Sequence, residues 1–403
     1  MQPADRKNFN VKLIIVMPTD FPHYEGLSQR VIGLFSNSVK YGSFTVLAPA
    51  VETKGLVSEH VGNISIIRYN LHFLRMVLKN RILYRLLFNA FFSLSLLLDL
   101  ARLRNLKADF IQAEEQISLI QSLIIGIFLR KPVIVDDVSW MNEAEMGLRI
   151  PKLVIQIVRI IEKKALNSCV AAIYSSEEMR KKYPLTCPSF VIPNGISMSS
   201  CQLPHISRGK TLLFLGSMYN QQNRQAASAA MRIFQSVKKR HNDIELIIAG
   251  GPASMIDGPL IELAGKEKNV KILGYVSNEL KSDLIASAGL IILPYFNSPL
   301  TGGCRIKTLE FFSQGKVVVS TPDGIAGING VANRKNVLMA QTFREFVDII
   351  NECLSNPASY MKIGDEAMKL AEGYTWENIA TSYQNALISL SLHEIAEDKG
   401  RAS

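Results

Sequence analysis

Short runs rich in β-branched and aliphatic residues alternate along the whole chain with segments whose apolar positions recur at helical spacing. In the first half the runs are Val11 to Met17, Ser43 to Leu47, Ile64 to Ile67, Asp109 to Ala113, Pro132 to Val135, Val170 to Tyr174 and Phe190 to Ile192. The second half continues with Thr211 to Leu215, Ile244 to Ala249, Val270 to Leu273, Leu290 to Leu293 and Val317 to Ser320. Runs without polar alternation predict strands covered on both faces, and therefore parallel sheets between helical layers. Right-handed β-α-β crossovers then predict an α/β chain of doubly wound, Rossmann-like domains. The alternation pauses at Ser197 to Lys210, a polar stretch containing Pro204. The expected division is an N-terminal domain over 1–205, a second domain over 206–372, and a helix and tail over 373–403. Ligands of doubly wound sheets bind beyond the carboxyl ends of the strands, so function is expected in a cleft between two such halves.

Composition agrees with two cores: 403 residues, 48% hydrophobic and 20% charged, exclude a disordered or fibrous chain. An excess of Lys and Arg gives +10, which favours anionic partners. Five scattered cysteines without a C-x-x-C suggest neither disulfides nor zinc and point to a reducing compartment. The opening MQPADRKNFN lacks an apolar stretch of the secretory kind, so a cytoplasmic protein is expected. The apolar run Leu86 to Leu98, bounded by Arg85 and Asp99, is short of the roughly 20 residues that span a bilayer. Around it, Leu71 to Lys107 carries seven cations and a single acid, Asp99. Arg81, Arg85, Asn89 and Ser93 recur every fourth residue as one polar stripe. Two readings stay open: a helix lying in an anionic membrane interface, or a pair of core helices with basic ends.

The stretch Pro294 to Gly327 carries the most chemistry. It follows an apolar run with Gly302 and Gly303, then Arg305 and Lys307 at a helix start, then Glu310 one turn on. Glycines permit close backbone approach, and cations added to a helix N-terminus make an anion site. A carboxylate one turn behind could accept from a sugar diol, so a nucleoside diphosphate fits both. The plain alternative is a turn followed by a solvated helix face with one weak ion pair. Asp136 and Asp137, with Glu143 and Glu145 after them, stand at a strand end where a group polarising an acceptor hydroxyl would sit; one of the pair could equally cap the next helix. There is no D-x-D, no ligand spacing among the histidines, no G-x-S-x-G and no Walker motif, so no metal site is expected. The basic residues form no recognisable nucleic-acid motif.

The string GGCRIKTLEFFSQGKVVVST resembles the donor-binding signature of the retaining glycosyltransferases of GT-B fold known as family 4, the glycosyl transferases group 1. LLFLGSMYNQQNRQA, LIIAGGPA, VKILGYVSNELKSDLIASAGLIILP and a late YTW accompany it in that family's order, covering about Lys210 to Leu390. Upstream the likeness is weaker, at PTDFPHYEGLSQR, KPVIVDDVSW and VIPNGI. The resemblance implies a metal-independent, retaining hexosyltransferase that moves a sugar from UDP or GDP to a hydroxyl of a glycan or lipid-linked acceptor. In it, Arg305 and Lys307 neutralise the leaving diphosphate, and Glu310 binds the ribose. Gly302 and Gly303 form the donor loop, Tyr275 and Val276 meet the base, and Gly26 lies in the loop facing diphosphate and acceptor. Asp137 is the candidate catalytic carboxylate, and the helix after Tyr374 crosses back to the first domain. No cofactor is implied beyond the sugar nucleotide, and the expected partners are donor, acceptor and an anionic membrane surface. The chain departs from the family at Gly302, where a glutamate is usual, at GSMYNQQNR, where Asn223 and Arg224 replace an Arg and Lys, and at Asp136–Asp137, near which many members have a histidine. A sugar-nucleotide epimerase and a silent nucleotide-sugar-binding subunit are the alternatives.

Overall fold

Each apolar run named above becomes a strand in the computed structural model, which describes residues 10–22, 26–36, 42–50, 59–77, 81–136, 152–182, 184–197, 209–252, 255, 258–296 and 303–401. By its contacts the chain divides into two compact units, Met1–Pro193 with Trp376–Ser403, and Asn194–Thr375. The changes of unit thus fall at 193/194 and 375/376, the first of them ahead of the polar stretch.

The first unit is built on an eight-stranded sheet, β3-β4-β2-β1-β5-β6-β7-β8 among the described residues. Its strands are β1 Val11–Val16, β2 Gly42–Ala50, β3 Glu59–Val61, β4 Ile64–Asn70, β5 Phe110–Glu114, β6 Val133–Asp136, β7 Ala171–Tyr174 and β8 Ser189–Val191. All pair in parallel except β3, which runs antiparallel to β4. The order reverses between β1 and β5, which places the first unit's ligand edge at their carboxyl ends. The interior is aliphatic, with Val16, Ile111, Val133 and Val135 packed against Phe92, Leu96, Leu119 and Ile125 from the helical layer.

The helix Trp376–Arg401 completes this unit. A Cβ on Gly33 would lie 2.1 Å from the Trp376 ring, so the helix Gly26–Ser36 can approach only because residue 33 has no side chain. Farther along, Tyr383 meets Phe35 edge-on at 5.3 Å and donates to Gln112 Oε1 on β5.

The second unit has a six-stranded, wholly parallel sheet, β11-β10-β9-β12-β13-β14 among the described residues. Its strands are β9 Thr211–Leu215, β10 Glu245–Ala249, β11 Val270–Leu273, β12 Leu290–Leu293, β13 Val318–Ser320 and β14 Leu338–Met339. Counted from its own first strand the order is 3-2-1-4-5-6, that of dinucleotide-binding sheets, and the switch point lies between β9 and β12. Among the described residues, no helix is long and apolar enough to cross a membrane.

One buried ion pair fixes the first unit. Arg30 from the first helix donates through Nε to Asp136 Oδ2 at 3.0 Å and through Nη2 to Oδ1 at 2.7 Å, with both side chains excluded from solvent. The same guanidinium reaches Ile192 O at 3.0 Å and Pro193 O at 3.2 Å, the last residues before the change of unit. A charge left unpaired in such a place costs about 3–5 kcal/mol. Asp136→Ala is expected to lower the stability of the first unit by about that amount in urea denaturation, while Arg30→Leu combined with Asp136→Leu costs clearly less than the two single changes together.

Candidate functional site

Three loops meet at the carboxyl edge of the second sheet. Gly250 and Gly251 follow β10 with φ of +112° and +89°, in the left-handed region open to glycine. A Cβ on Gly250 would stand 2.6 Å from Gly216 O, and one on Gly251 2.6 Å from Met218 N. The loops after β9, β10 and β11 are bonded through backbone here, with Gly216 N to Ala249 O at 2.9 Å and Gly250 N to Gly274 O at 3.1 Å. The edge is therefore floored by backbone, with no room for side chains between the loops.

Lys307 lies at the switch point itself. Its ammonium donates to Leu215 O at the end of β9 (3.0 Å), to Asn223 Oδ1 (3.3 Å) and to the hydroxyl of Tyr295, just past β12. Tyr295 in turn donates to Asn223 Oδ1 at 2.7 Å, and Asn223 Nδ2 to Ser217 O at 2.9 Å. The three N–H donors of Lys307 are thus engaged within the protein. Burial, and then the neighbouring Arg305, pull its pKa well below the ordinary lysine value, with Glu310 opposing them. Burial also pushes the Tyr295 hydroxyl up to about 12, against the pull of Arg305.

Arg305 behaves differently. It stands immediately before the helix Ile306–Ser313, whose first amides receive no side-chain cap. Its guanidinium lies over the Tyr295 ring, 4.3 Å from the centroid, and Nε donates to Asp323 O at 3.0 Å. Among the described residues its two terminal nitrogens have no partner, so a planar fork of donors remains beside a helix N-terminus. The preceding backbone is fixed by Asn194, whose amide donates to Cys304 O at 2.8 Å.

Glu310 faces the helix Asn278–Ser287 and holds Lys281 Nζ with both oxygens, at 3.0 and 3.1 Å. Each oxygen keeps accepting capacity for a hydroxyl. Tyr275 and Val276 form the short link between β11 and that helix, which Ser277 caps by accepting from Leu280 N at 3.2 Å. The Tyr275 ring is 69% exposed and lies 6.4 Å from that of Tyr219, itself 58% exposed in the loop after β9. Gly303 is half-buried, and Gly302 lies outside the described residues.

In the first unit, Gly26 is exposed at the start of the helix after β1. Asp137, Glu143, Glu145 and His23 lie outside the described residues. Asp136 is not available to polarise a hydroxyl, because it is wholly buried in its ion pair with Arg30. Beside it, Glu114 ends β5 fully buried, with Oε1 accepting from Gln112. Arg224, a polar candidate of the sequence, is turned onto its own loop and donates to Met218 O and Tyr219 O at 2.7 and 2.9 Å. Among the described residues no group of three or more His, Cys, Asp or Glu could hold a metal.

The sequence reading missed Tyr295, Asp323 and Lys281. Tyr295 carried a usable signal, since an aromatic with a polar tip directly beyond a buried strand end needs a partner for its hydroxyl.

Residues 209–356 match the family Glycosyl transferases group 1. A comparison with curated proteins finds no match. Among solved structures the chain is similar to sucrose-phosphate synthase from Thermosynechococcus elongatus, at 13% identity and TM-score 0.70 over 98% of this chain and 100% of that one. It is also similar to α,α-trehalose 6-phosphate synthase from Burkholderia multivorans, at 12% identity and TM-score 0.69 over 97% and 98%. A third is HepE from Anabaena, solved in complex with UDP and glucose, at 14% identity and TM-score 0.67 over 94% and 99%. At these identities the likeness shows the fold, the two-domain GT-B architecture.

The two cations are expected to separate in their effects on stability. Lys307→Met leaves buried oxygens without a donor and should lower the stability of the second unit by about 1–3 kcal/mol. Arg305→Ala removes a cation–π contact and one bond at a half-buried position, and should cost under about 1.5 kcal/mol. Urea denaturation of the two variants checks the difference.

Proposed function

We propose that the chain is a retaining glycosyltransferase that moves a sugar from a UDP-sugar, or second a GDP-sugar, to a hydroxyl of a glycan or lipid-linked acceptor. The observation that carries this reading is the guanidinium of Arg305, whose terminal nitrogens have no partner among the described residues, laid over Tyr295 beside a helix start without a side-chain cap at a sheet's switch point. The match over 209–356 and the UDP and glucose bound by HepE support a sugar nucleotide as the anion.

In this reading the diphosphate is held by Arg305, by the free amides of the helix Ile306–Ser313 and by the backbone at Gly303, over the glycine floor. Glu310 accepts from the ribose hydroxyls, and the link Tyr275–Val276 meets the base. The bond from the anomeric carbon to the β-phosphate oxygen breaks as negative charge gathers on the departing diphosphate, which Arg305 stabilises directly and Lys307 from behind. The acceptor hydroxyl bonds to the anomeric carbon from the same face, and its proton passes to the departing phosphate oxygen with help from Asp137. These cations take the role a metal ion would otherwise play, with no cofactor beyond the donor. Reaction is placed in the cytoplasm, on the inner face of the cell membrane where the acceptor is lipid-linked.

The test is incubation with UDP- and GDP-sugars, with and without a panel of glycan and lipid-linked acceptors. Release of UDP or GDP that depends on acceptor supports transfer. A new sugar nucleotide formed without acceptor would make the chain an epimerase, and binding without turnover would make it a silent subunit. Arg305→Ala should cut turnover roughly tenfold to a hundredfold, the equivalent of a charged hydrogen bond of about 1.5–3 kcal/mol. Glu310→Gln should weaken UDP more than acceptor, as read by calorimetry.

The pH dependence of UDP binding follows from Lys307. Its pKa in the free protein is depressed, and an anion nearby raises it again. Between those two values binding takes up a proton, so affinity falls as pH rises through that window. Above about pH 6, where the terminal phosphate is already doubly ionised, calorimetry should show this fall in the wild-type chain and a flat profile in Lys307→Met.

A further inference from the structure

The helices on one face of the first sheet bury apolar residues inward and expose further apolar residues outward. Three successive crossovers, from β4 to β5, β5 to β6 and β6 to β7, step in one direction across the sheet, so right-handedness puts their helices in one layer. That layer contains Arg81–Leu98, Leu119–Leu129 and Lys152–Leu166. The outer side of such a layer is ordinarily polar.

Leu119–Leu129 is apolar on its outer side as well as its inner one, where Leu119 and Ile125 are buried. Its sequence, LIQSLIIGIFL, has no charged residue, and its two polar side chains point inward, Gln121 being 1% and Ser122 0% exposed. Outward stand Ile120, Ile127 and Phe128, at 60%, 76% and 50% exposure. The neighbouring helix repeats the arrangement. Gln121 Nε2 donates to Asn89 Oδ1 at 2.9 Å, so this part of the stripe seen in the sequence faces another helix and not water. Leu94 and Leu98 are exposed instead. On the third helix Ile160 and Ile161 are 69% and 60% exposed. Contiguous apolar surface of this kind marks an interaction site.

Charge identifies what covers it. The helices of this layer and the short helix Leu100–Asn105 run toward the amino ends of β5, β6 and β7, and basic residues gather there. Arg104 lies in the last turn of Leu100–Asn105, Arg130 ends Leu119–Leu129, and Lys163 and Lys164 lie in the last turn of Lys152–Leu166. All four are exposed. The nearby carboxylates of Asp99 and Glu162 are bonded to Tyr69 and Gln116.

We propose that this outward apolar layer with its basic end is a docking surface for an anionic lipid membrane. Ile120, Ile127, Phe128 and Ile160 enter the boundary between headgroups and acyl chains, while Arg104, Arg130, Lys163 and Lys164 meet the phosphates. Docking leaves the carboxyl edge of the first sheet, at the other end of its strands, clear of the basic contacts. The inference does not depend on the chemistry catalysed.

Co-sedimentation of the full chain with phosphatidylglycerol–phosphatidylcholine vesicles tests it, against phosphatidylcholine alone and across a salt series. The chain should pellet with the anionic vesicles and be released as salt rises. Ile127→Glu with Phe128→Glu should lower partitioning about tenfold or more, and Arg130→Gln with Lys163→Gln roughly fivefold per cation. Both variants should keep the wild-type melting temperature and its shift with UDP, since they change exposed residues of the first unit, whereas the nucleotide edge belongs to the second. Vesicle binding without a UDP shift would strike the transferase reading alone. The proposal is overturned by absence of vesicle binding at low salt, or by binding that the Ile127→Glu, Phe128→Glu variant leaves unchanged. It is equally overturned if light scattering shows a dimer that this variant splits, because a second copy then covers the face.

Discussion

The site in the second unit depends on one ammonium. A doubly wound sheet separates its loops where the strand order reverses, and that crevice is both the place for a ligand and the weakest line along the edge. Lys307 spans it, bonded to the last carbonyl of β9 on one side and to Tyr295, just beyond β12, on the other. Asn223 completes the tie from the helix Gln221–Lys238. Because the ammonium is committed to these oxygens, Arg305 is left as the basic group whose terminal nitrogens can meet an anion. The two basic residues, two positions apart in sequence, thus divide the work between holding the crevice and filling it.

Each unit places a buried cation near its switch point, but the charges are balanced differently. Arg30 is met by the full negative charge of Asp136 and by carbonyls, whereas the hydrogen-bond partners of Lys307 among the described residues are neutral oxygens. The positive potential at the second sheet's edge is therefore offset only from a distance, by Glu310 for Lys307 and by Asp323 for Arg305, and is strengthened by the helix start at Ile306. That contrast makes the second unit's edge the more favourable of the two for an anion in the proposed reading.

Much of this architecture was legible in the chain. Buried parallel strands are continuous apolar runs, and each of those foreseen forms; β3 is polar at two of its three positions, Glu59 and His60, and β14 has only two residues. Arg305, Lys307 and Glu310 stood out through spacing, but spacing could not show that Lys307 points into the protein or that Glu310 already holds Lys281. That Asp136 is tied into an ion pair was not legible, because its partner Arg30 is 106 residues away in sequence. The basic apolar segment illustrates the other limit. A helical stripe tells which residues share a side, not whether that side meets water or another helix, and Asn89 meets Gln121.

The helix Trp376–Arg401 has a consequence for how the chain is made. The first unit closes only when Trp376 covers Gly33 and Tyr383 reaches Phe35 and Gln112, contacts supplied by residues synthesised after the whole second unit. On the ribosome the usual order of completion is therefore reversed. The second unit has every strand it needs once Thr375 has emerged, while the first waits as an open sheet with Gln112 and Phe35 uncovered. Chaperone dependence and sensitivity to proteolysis during translation should accordingly concentrate in the N-terminal unit, the one synthesised first and finished last.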